Sequence, residues 1–146
     1  HAEGEKAKLK DTLDCIVMGY YSGRGKRTAF GIGALLVGIL TSEKTVVTIA
    51  KIGTGISDEQ LRELKQRCDV LKSDKQPTVY AVSKDLIPDV WVVPHIVTEI
   101  AADEVTRSPN HTAGSALRFP RLIKIREDKG WEDATTLQDL PQIIGS

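Results

Sequence analysis

The sequence predicts a mainly β protein: a small five-stranded barrel with a helix between strands three and four, and a short helical tail. Three observations predict it. Apolar and β-branched residues fall in short runs separated by Gly, Pro, Asn, Asp and Ser, the punctuation of strands and turns. Only residues 58–72 repeat apolar side chains at helical spacing over several turns. Glycines recur within one apolar run, as a tightly coiled barrel requires at bulges and corners. At 146 residues the chain suggests one domain. That length buries roughly 68–70% of the unfolded surface, so no staple is needed.

HAEGEKAKLK, residues 1–10, is charged and unpatterned and reads as a linker. TLDCIVMGYY (12–21) alternates and is rich in β-formers, the first strand. SGRGKRT (22–28) is a Gly-rich basic loop, and FGIGALLVGIL (30–40) the second strand, with Gly31, Gly33 and Gly38 marking bulges or sharp coiling. TSEK (41–44) turns the chain into TVVTIAKI (45–52), the third strand. In GTGISDEQ, Ser57 and Gln60 form a capping box, and Asp58 and Glu59 lie where the helix dipole favours acids. Leu61, Leu64, Cys68 and Leu71 then mark one face of a helix over 58–72.

Residues 73–89 are Pro-containing and irregular. VWVVPHIVTEIAADEV (90–105) is a long strand broken by Pro94, and SPNHTAGSA (108–116) a loop. LRFPRLIKIRED (117–128) is the fifth strand, entered through Pro120, which points to a strand start or an edge. EDATTLQDLPQI (132–143) forms a short helix capped at Thr135 or Thr136 and ended by Pro141. The boundaries are therefore a linker over 1–10, a barrel over 11–130 and a tail over 131–146. Three strands, a helix and two strands is the order of an OB-fold, a five-stranded Greek-key barrel.

Charged residues make up 27%, hydrophobic residues 40% and aromatics 5%, a soluble globular profile. Twenty basic and twenty acidic side chains cancel, but unevenly. Residues 1–27 hold six basic and four acidic side chains, and 118–129 hold five and two. The longest apolar stretch, around Ile32–Leu40, is far short of the ~20 residues a membrane helix needs. No secretory signal is evident. His1 in place of Met points to a chain cut from a longer one. Cys15 and Cys68 sit in apolar patterns, as buried thiols of a reducing compartment rather than a disulfide. His1, His95 and His111 have no metal-ligand spacing; His95 reads as structural.

RFPRLIKIREDK, residues 118–129, joins five cations to Leu and Ile. Strand alternation puts Ile123 and Ile125 on one face and Lys124 and Arg126 on the other. One side can fill the barrel while the other presents cations; the plainer alternative is a surface strand laced with ion pairs. Trp91 is expected to pack in the barrel and Trp131 against the tail. Glu99 and Asp103 lie about 13 Å apart on a strand, too far for acid–base work, and suggest a solvated face.

LRFPRLIKIREDK resembles motif VI, the C-terminal signature of the ATP-dependent DNA ligases, a basic residue-x-Asp-Lys run after Arg-x-Pro-Arg. DTLDCIVMGYYSGRGKR, KIGTGISDEQL and PDVWVVPHIVTEIAADEVTRSPNH resemble the family's OB-domain start, strand-three-to-helix junction and fourth strand, in the right order. The family's Lys-x-Asp-Gly motif is absent, so the resemblance implies the OB-fold domain of a ligase whose nucleotidyltransferase domain is missing, inactive alone. It implies that Arg126 contacts the β- and γ-phosphates of ATP, that Asp128 orients Arg126 or the leaving group, and that Lys129 adds a point charge.

In a second pose of the domain, the resemblance implies that Arg118, Arg121, Lys26 and Arg27 approach the phosphates of nicked duplex DNA. Phe119 is then either a wedge against the minor groove or a core residue. ATP and Mg²⁺ are implied for the parent enzyme, bound mainly by the missing domain and not by this fragment alone. The implied partners are nicked double-stranded DNA and the nucleotidyltransferase domain of the same polypeptide, in an intracellular monomer serving replication, repair and recombination (cytoplasmic and nucleoid-associated if prokaryotic). Two alternatives stay open: a stand-alone OB module for single-stranded nucleic acid, and the OB domain of an RNA-capping enzyme or RNA ligase.

Overall fold

The computed structural model describes residues 6–8, 12–22, 31–53, 55–107 and 111–139. Its centre is a curled sheet built on β2 (Leu13–Tyr21). Along one edge β2 pairs antiparallel with β3 (Ala34–Leu40), which pairs in turn with β4 (Val46–Ile52). Along its other edge it meets the segment expected as a long strand broken by Pro94. That segment is interrupted: β7 (Val90–Val92) pairs with the end of β2 and β8 (Val97–Ala101) with its beginning. Between them Pro94 cannot donate to the ladder, and Val17 N–H instead reaches Ile96 O at 3.0 Å. Among the described residues β11 (Arg121–Arg126) pairs only with β8 and forms the sheet edge.

The strands bury two different faces. Leu13, Cys15, Val17, Leu35, Val37 and Ile39 enter the barrel core. Ile16, Met18, Leu36 and Leu40 enter a second cluster on the outer face, covered by Tyr80, Leu86 and Ala134. All seven residues of β3 are buried for this reason, and its sequence is a continuous apolar run rather than an alternating one. α1 (Asp58–Leu71) lays Leu61, Leu64 and Cys68 on the barrel core. Both expected capping-box bonds are present, Gln60 N–H to Ser57 Oγ at 3.1 Å and Ser57 N–H to Gln60 Oε1 at 2.9 Å. With one helix between strands three and four, the mainly β OB-fold expectation is met.

Several details differ from the sequence expectation. Residues 117–128 are two strands, β10 (Ser115–Arg118) and β11, separated by a corner at Phe119 and Pro120. β10 belongs to a smaller sheet with β9 (Glu104–Arg107) and β1 (Lys6–Lys8), so part of the expected linker is a strand. The irregular stretch after α1 contains β5 (Lys72–Ser73), which pairs with β7, and β6 (Tyr80–Ala81), parallel to β4.

The tail has a 3-10 turn at Trp131–Asp133. Thr135 N–H then bonds Asp14 O at 2.9 Å, while Leu40 N–H bonds Thr135 O at 2.9 Å. The tail thus wedges between the ends of β2 and β3, where backbone groups would otherwise lie unsatisfied. The cap expected at Thr135 or Thr136 exists at Thr136, paired reciprocally with Asp139, but through Asp139 it heads only a turn. The remainder of the tail lies outside the described residues.

Gly38 sits where the β3–β4 register shifts, as the bulge expectation required. A Cβ there would lie 2.4 Å from Val47 O and 2.6 Å from the Met18 sulfur. Gly38→Ala is therefore expected to destabilise the fold by about 1–3 kcal/mol, as overpacking does. Urea unfolding should show a lower midpoint at an unchanged m-value.

Candidate functional site

β11 and the turns at its two ends carry the described residues singled out in the sequence. The strand is held from outside by the start of α1. Leu122 N–H bonds Gly55 O at 2.9 Å, and the Gln60 amide donates to the carbonyls of Leu122 and Ile123 at 3.4 and 3.3 Å. Gly55 has φ +80°, and a Cβ on it would lie 2.8 Å from that of Arg121. Only glycine allows both this left-handed backbone and so close an approach.

These bonds accompany a bulge between Leu122 and Lys124. The bulge changes the expected alternation. Leu122 is buried, Ile123 is 46% exposed, and Ile125 packs against the barrel core. Ile123 therefore does not face inward as strict alternation required, because one extra residue on β11 shifts its phase. Ile125 stays inward, and Lys124 and Arg126 stay on the outer side.

At the strand's start stands an exposed corner. Phe119 has φ +56° and is 62% exposed, so it is a surface residue and not a core one. The Arg118 guanidinium lies 5.1 Å from the Phe119 ring centroid. Arg121 donates to Asp103 at 3.1 Å and to Phe119 O at 3.1 Å, which ties the corner down. Lys26 and Arg27, the remaining basic candidates, lie outside the described residues.

At the strand's other end the cations are held differently. Arg126 grips Asp128 through two parallel bonds, Nε to Oδ1 and Nη2 to Oδ2, both 3.0 Å. This fork holds the Asp128 carboxyl down at about 2 and raises the Arg126 guanidinium further above its already high range. Arg126 Nη1 also reaches Asp14 at 3.2 Å and approaches Glu99 at 3.9 Å. Lys129 Nζ donates to the other Asp14 oxygen at 2.6 Å. Nearby, Arg67 of α1 pairs with Glu127 and Glu63, and those bonds, Glu127's first, raise its pKa.

A cavity of about 230 Å³ opens beside this cluster, lined by Arg67, His95, Ile125, Arg126, Lys129 and Trp131 among others. His95 is exposed at this cavity. Trp91 packs on the outer cluster rather than in the barrel, and Trp131 packs on the same cluster.

Sequence reasoning missed Asp14 and Glu99. Glu99 is 19% exposed, accepts from Thr12 Oγ1 at 2.8 Å and is not on a solvated face. Their signal was present: an acid inside an apolar strand must find a cation or a donor. Cys15 and Cys68 are buried and not disulfide-bonded, and burial pushes the Cys68 thiol up to about 12, so neither is poised as a nucleophile.

A curled half-barrel with one helix, whose edge strand carries an arginine corner at one end and an Arg–Asp–Lys cluster at the other, defines an OB-fold with cations gathered at both ends of its edge strand. Residues 28–129 match the family model for the ATP dependent DNA ligase C terminal region, and the chain belongs to that family. It is 48% identical over 145 residues to a probable DNA ligase of Dictyoglomus thermophilum, covering 93% of this chain and 25% of that protein. It is 40% identical to a DNA ligase of Hyperthermus butylicus, over 92% of this chain and 23% of the relative. DNA ligase 1 of Schizosaccharomyces pombe is 40% identical, over 93% of this chain and 19% of its own length. The ligase domain of Mycobacterium tuberculosis LigD superposes with a TM-score of 0.67 at 25% identity, covering 85% of this chain and 38% of that one. The chain thus spans about a quarter of the length of the curated relatives it matches.

Proposed function

We propose that this chain is the OB-fold domain with which an ATP-dependent ligase seals nicks in duplex DNA, working in two poses. In the first, Arg126, Asp128 and Lys129 face ATP while a lysine of the nucleotidyltransferase domain is adenylated. The lysine nitrogen attacks the α-phosphorus, a P–N bond forms, and the bond to the pyrophosphate oxygen breaks as the lysine proton leaves. Arg126 and Lys129 meet the negative charge that develops on the departing pyrophosphate, and Asp128 keeps the guanidinium plane fixed. In the second, Arg118 and Arg121 reach DNA phosphates, together with Lys26 and Arg27 of the Gly-rich loop, while Phe119 lies against the minor groove.

One observation carries this reading: the same edge strand has a half-exposed cationic corner bearing an exposed aromatic at one end and a partly buried, preset cation cluster at the other. A solved mycobacterial DNA ligase D, similar in fold at a TM-score of 0.64, is a complex with ATP. Magnesium is expected to travel with ATP. Among the described residues no three acidic, imidazole or thiol side chains converge on a point. The donors here therefore do not fit a divalent metal, and no step is assigned to one.

Single-strand stacking is the weaker alternative, because Phe119 is the sole exposed aromatic among the described residues.

Nick binding measured against salt tests the DNA half. Removing Arg118 and Arg121 together is expected to lower the log–log salt slope by roughly two units, about one per phosphate contact. Charge reversal at Lys26 and Arg27 should weaken nick binding at moderate salt. An unchanged slope, or tighter binding to single strands than to nicked duplex, would remove this interface.

A further inference from the structure

Asp14 is a carboxylate near the start of the central strand, flanked by Leu13 and Cys15, which are fully buried. Its side chain is 14% exposed. Its backbone is fixed on both sides, by register with Glu99 of β8 and by the reciprocal bonds to Thr135 of the tail, Asp14 N–H to Thr135 Oγ1 at 2.8 Å and Thr135 N–H to Asp14 O at 2.9 Å. β8 lies between β2 and β11, and Asp14, Glu99 and Lys124 stand opposite one another across the three strands. Arg126 is two residues beyond Lys124 on the same strand, so its long side chain can cross β8 to Asp14. Asp14 divides its two oxygens, Oδ1 to Arg126 at 3.2 Å and Oδ2 to Lys129 at 2.6 Å. The two cations thus share one carboxylate.

We propose that Asp14 is a positioning residue for lysine adenylation, holding Arg126 and Lys129 side by side so that they meet the ATP polyphosphate as a preset pair. The proposal rests on the assignment of those two cations to ATP made above. Asp14 itself touches no substrate. Arg126 keeps its orientation from two carboxylates, the fork of Asp128 and the anchor of Asp14, and the second ties it to the body of the sheet. Lys129 has only a flexible four-carbon stem, and Asp14 is the acceptor that fixes its ammonium. The arginine is 21% and the lysine 35% exposed, so the pair is held without being sealed away. A carboxylate placed only for stability would be a poor choice at such a site, since replacing a partly buried ion pair with apolar contacts is often neutral or stabilising.

Asp14→Asn preserves shape and removes the charge. In the full-length ligase it is expected to lower kcat/KM for adenylation roughly tenfold, the order of loss that slight misplacement of a reacting assembly produces. Sealing of a pre-adenylated nick should be unchanged, while the melting temperature falls modestly because two partly buried cations lose a shared partner. Asp14→Asn in an Arg126→Ala, Lys129→Ala background should cost adenylation nothing further, because Asp14 acts only through those two side chains. A parallel fall in both half-reactions would reduce Asp14 to a structural role. So would an additive loss in the double-alanine background. If the alanine variants slow adenylation and Asp14→Asn does not, the positioning proposal fails while the assignment of the cations stands. If Arg126→Ala and Lys129→Ala leave adenylation intact, that assignment fails, and the proposal with it.

Discussion

Full-length ligase carrying Arg126→Ala is expected to adenylate its lysine roughly 10²–10³-fold more slowly, the loss typical when one preorganised charge-stabilising donor is removed. It should seal pre-adenylated nicks at close to the native rate. The split follows from geometry. Arg126 stands at the end of β11 away from the Phe119 corner; Arg121 pairs with Ala101 and Arg126 with Val97, four residues apart on β8, about 13 Å along a strand. A group that far from the Phe119 corner is expected to serve a different surface. Asp128→Ala should reproduce the effect in weaker form, since it frees the guanidinium from its fork but leaves the bond to Asp14. Asp128 is held ionised down to about 2, so the fork persists across any pH at which the enzyme would be assayed. Rapid-quench measurement of enzyme–AMP formation, set beside single-turnover sealing of a pre-adenylated nick, checks both variants. Equal losses in the two half-reactions would contradict the role assigned.

Phe119→Gly is expected to separate stability from activity in opposite directions. Phe119 is exposed and has φ +56°, a conformation that costs a β-carbon residue roughly 1–2 kcal/mol. Glycine removes that strain but loses about 0.5–1 kcal/mol more chain entropy on folding. With little packing to forfeit, the variant should be as stable as the parent or slightly more so. An aromatic held at such an angle in open solvent serves the fold poorly, so its reason is to be sought at a surface it meets. Loss of an aromatic contact to a base costs about 1–3 kcal/mol, and sealing of nicked duplex should therefore fall about 5- to 150-fold. Thermal unfolding and single-turnover sealing check the pair of expectations. A marked loss of stability would return Phe119 to the core, and undiminished sealing would take it away from the groove.

The two clusters were not equally legible in the chain. RFPRLIKIREDK announced cations on a strand, and Pro120 pointed to a strand start or an edge; β11 begins just after Pro120 and lies at the sheet edge. The corner itself was not legible. A bulge at Ile123 and a left-handed Phe119 each depend on what stands opposite, namely the carbonyls that Gln60 binds and the approach that Gly55 permits. Glu99 read as a solvated acid because its partners, Thr12 and Arg126, are remote in sequence. The tail read as an appended helix because nothing local shows that Thr135 fills a gap between the ends of β2 and β3.

By itself the sequence determined the order of strands and helix, the capping box, the break of the fourth strand at Pro94, and the cation-bearing character of the last strand. These follow from period, propensity and turn chemistry, which act over a few neighbouring residues. Only the tertiary structure decided which aliphatic of β11 turns outward, and that Asp14 meets Arg126 and Lys129. Such outcomes depend on register and on charges brought together from more than a hundred residues apart, and a partly buried carboxylate takes whichever cation the completed sheet places within reach.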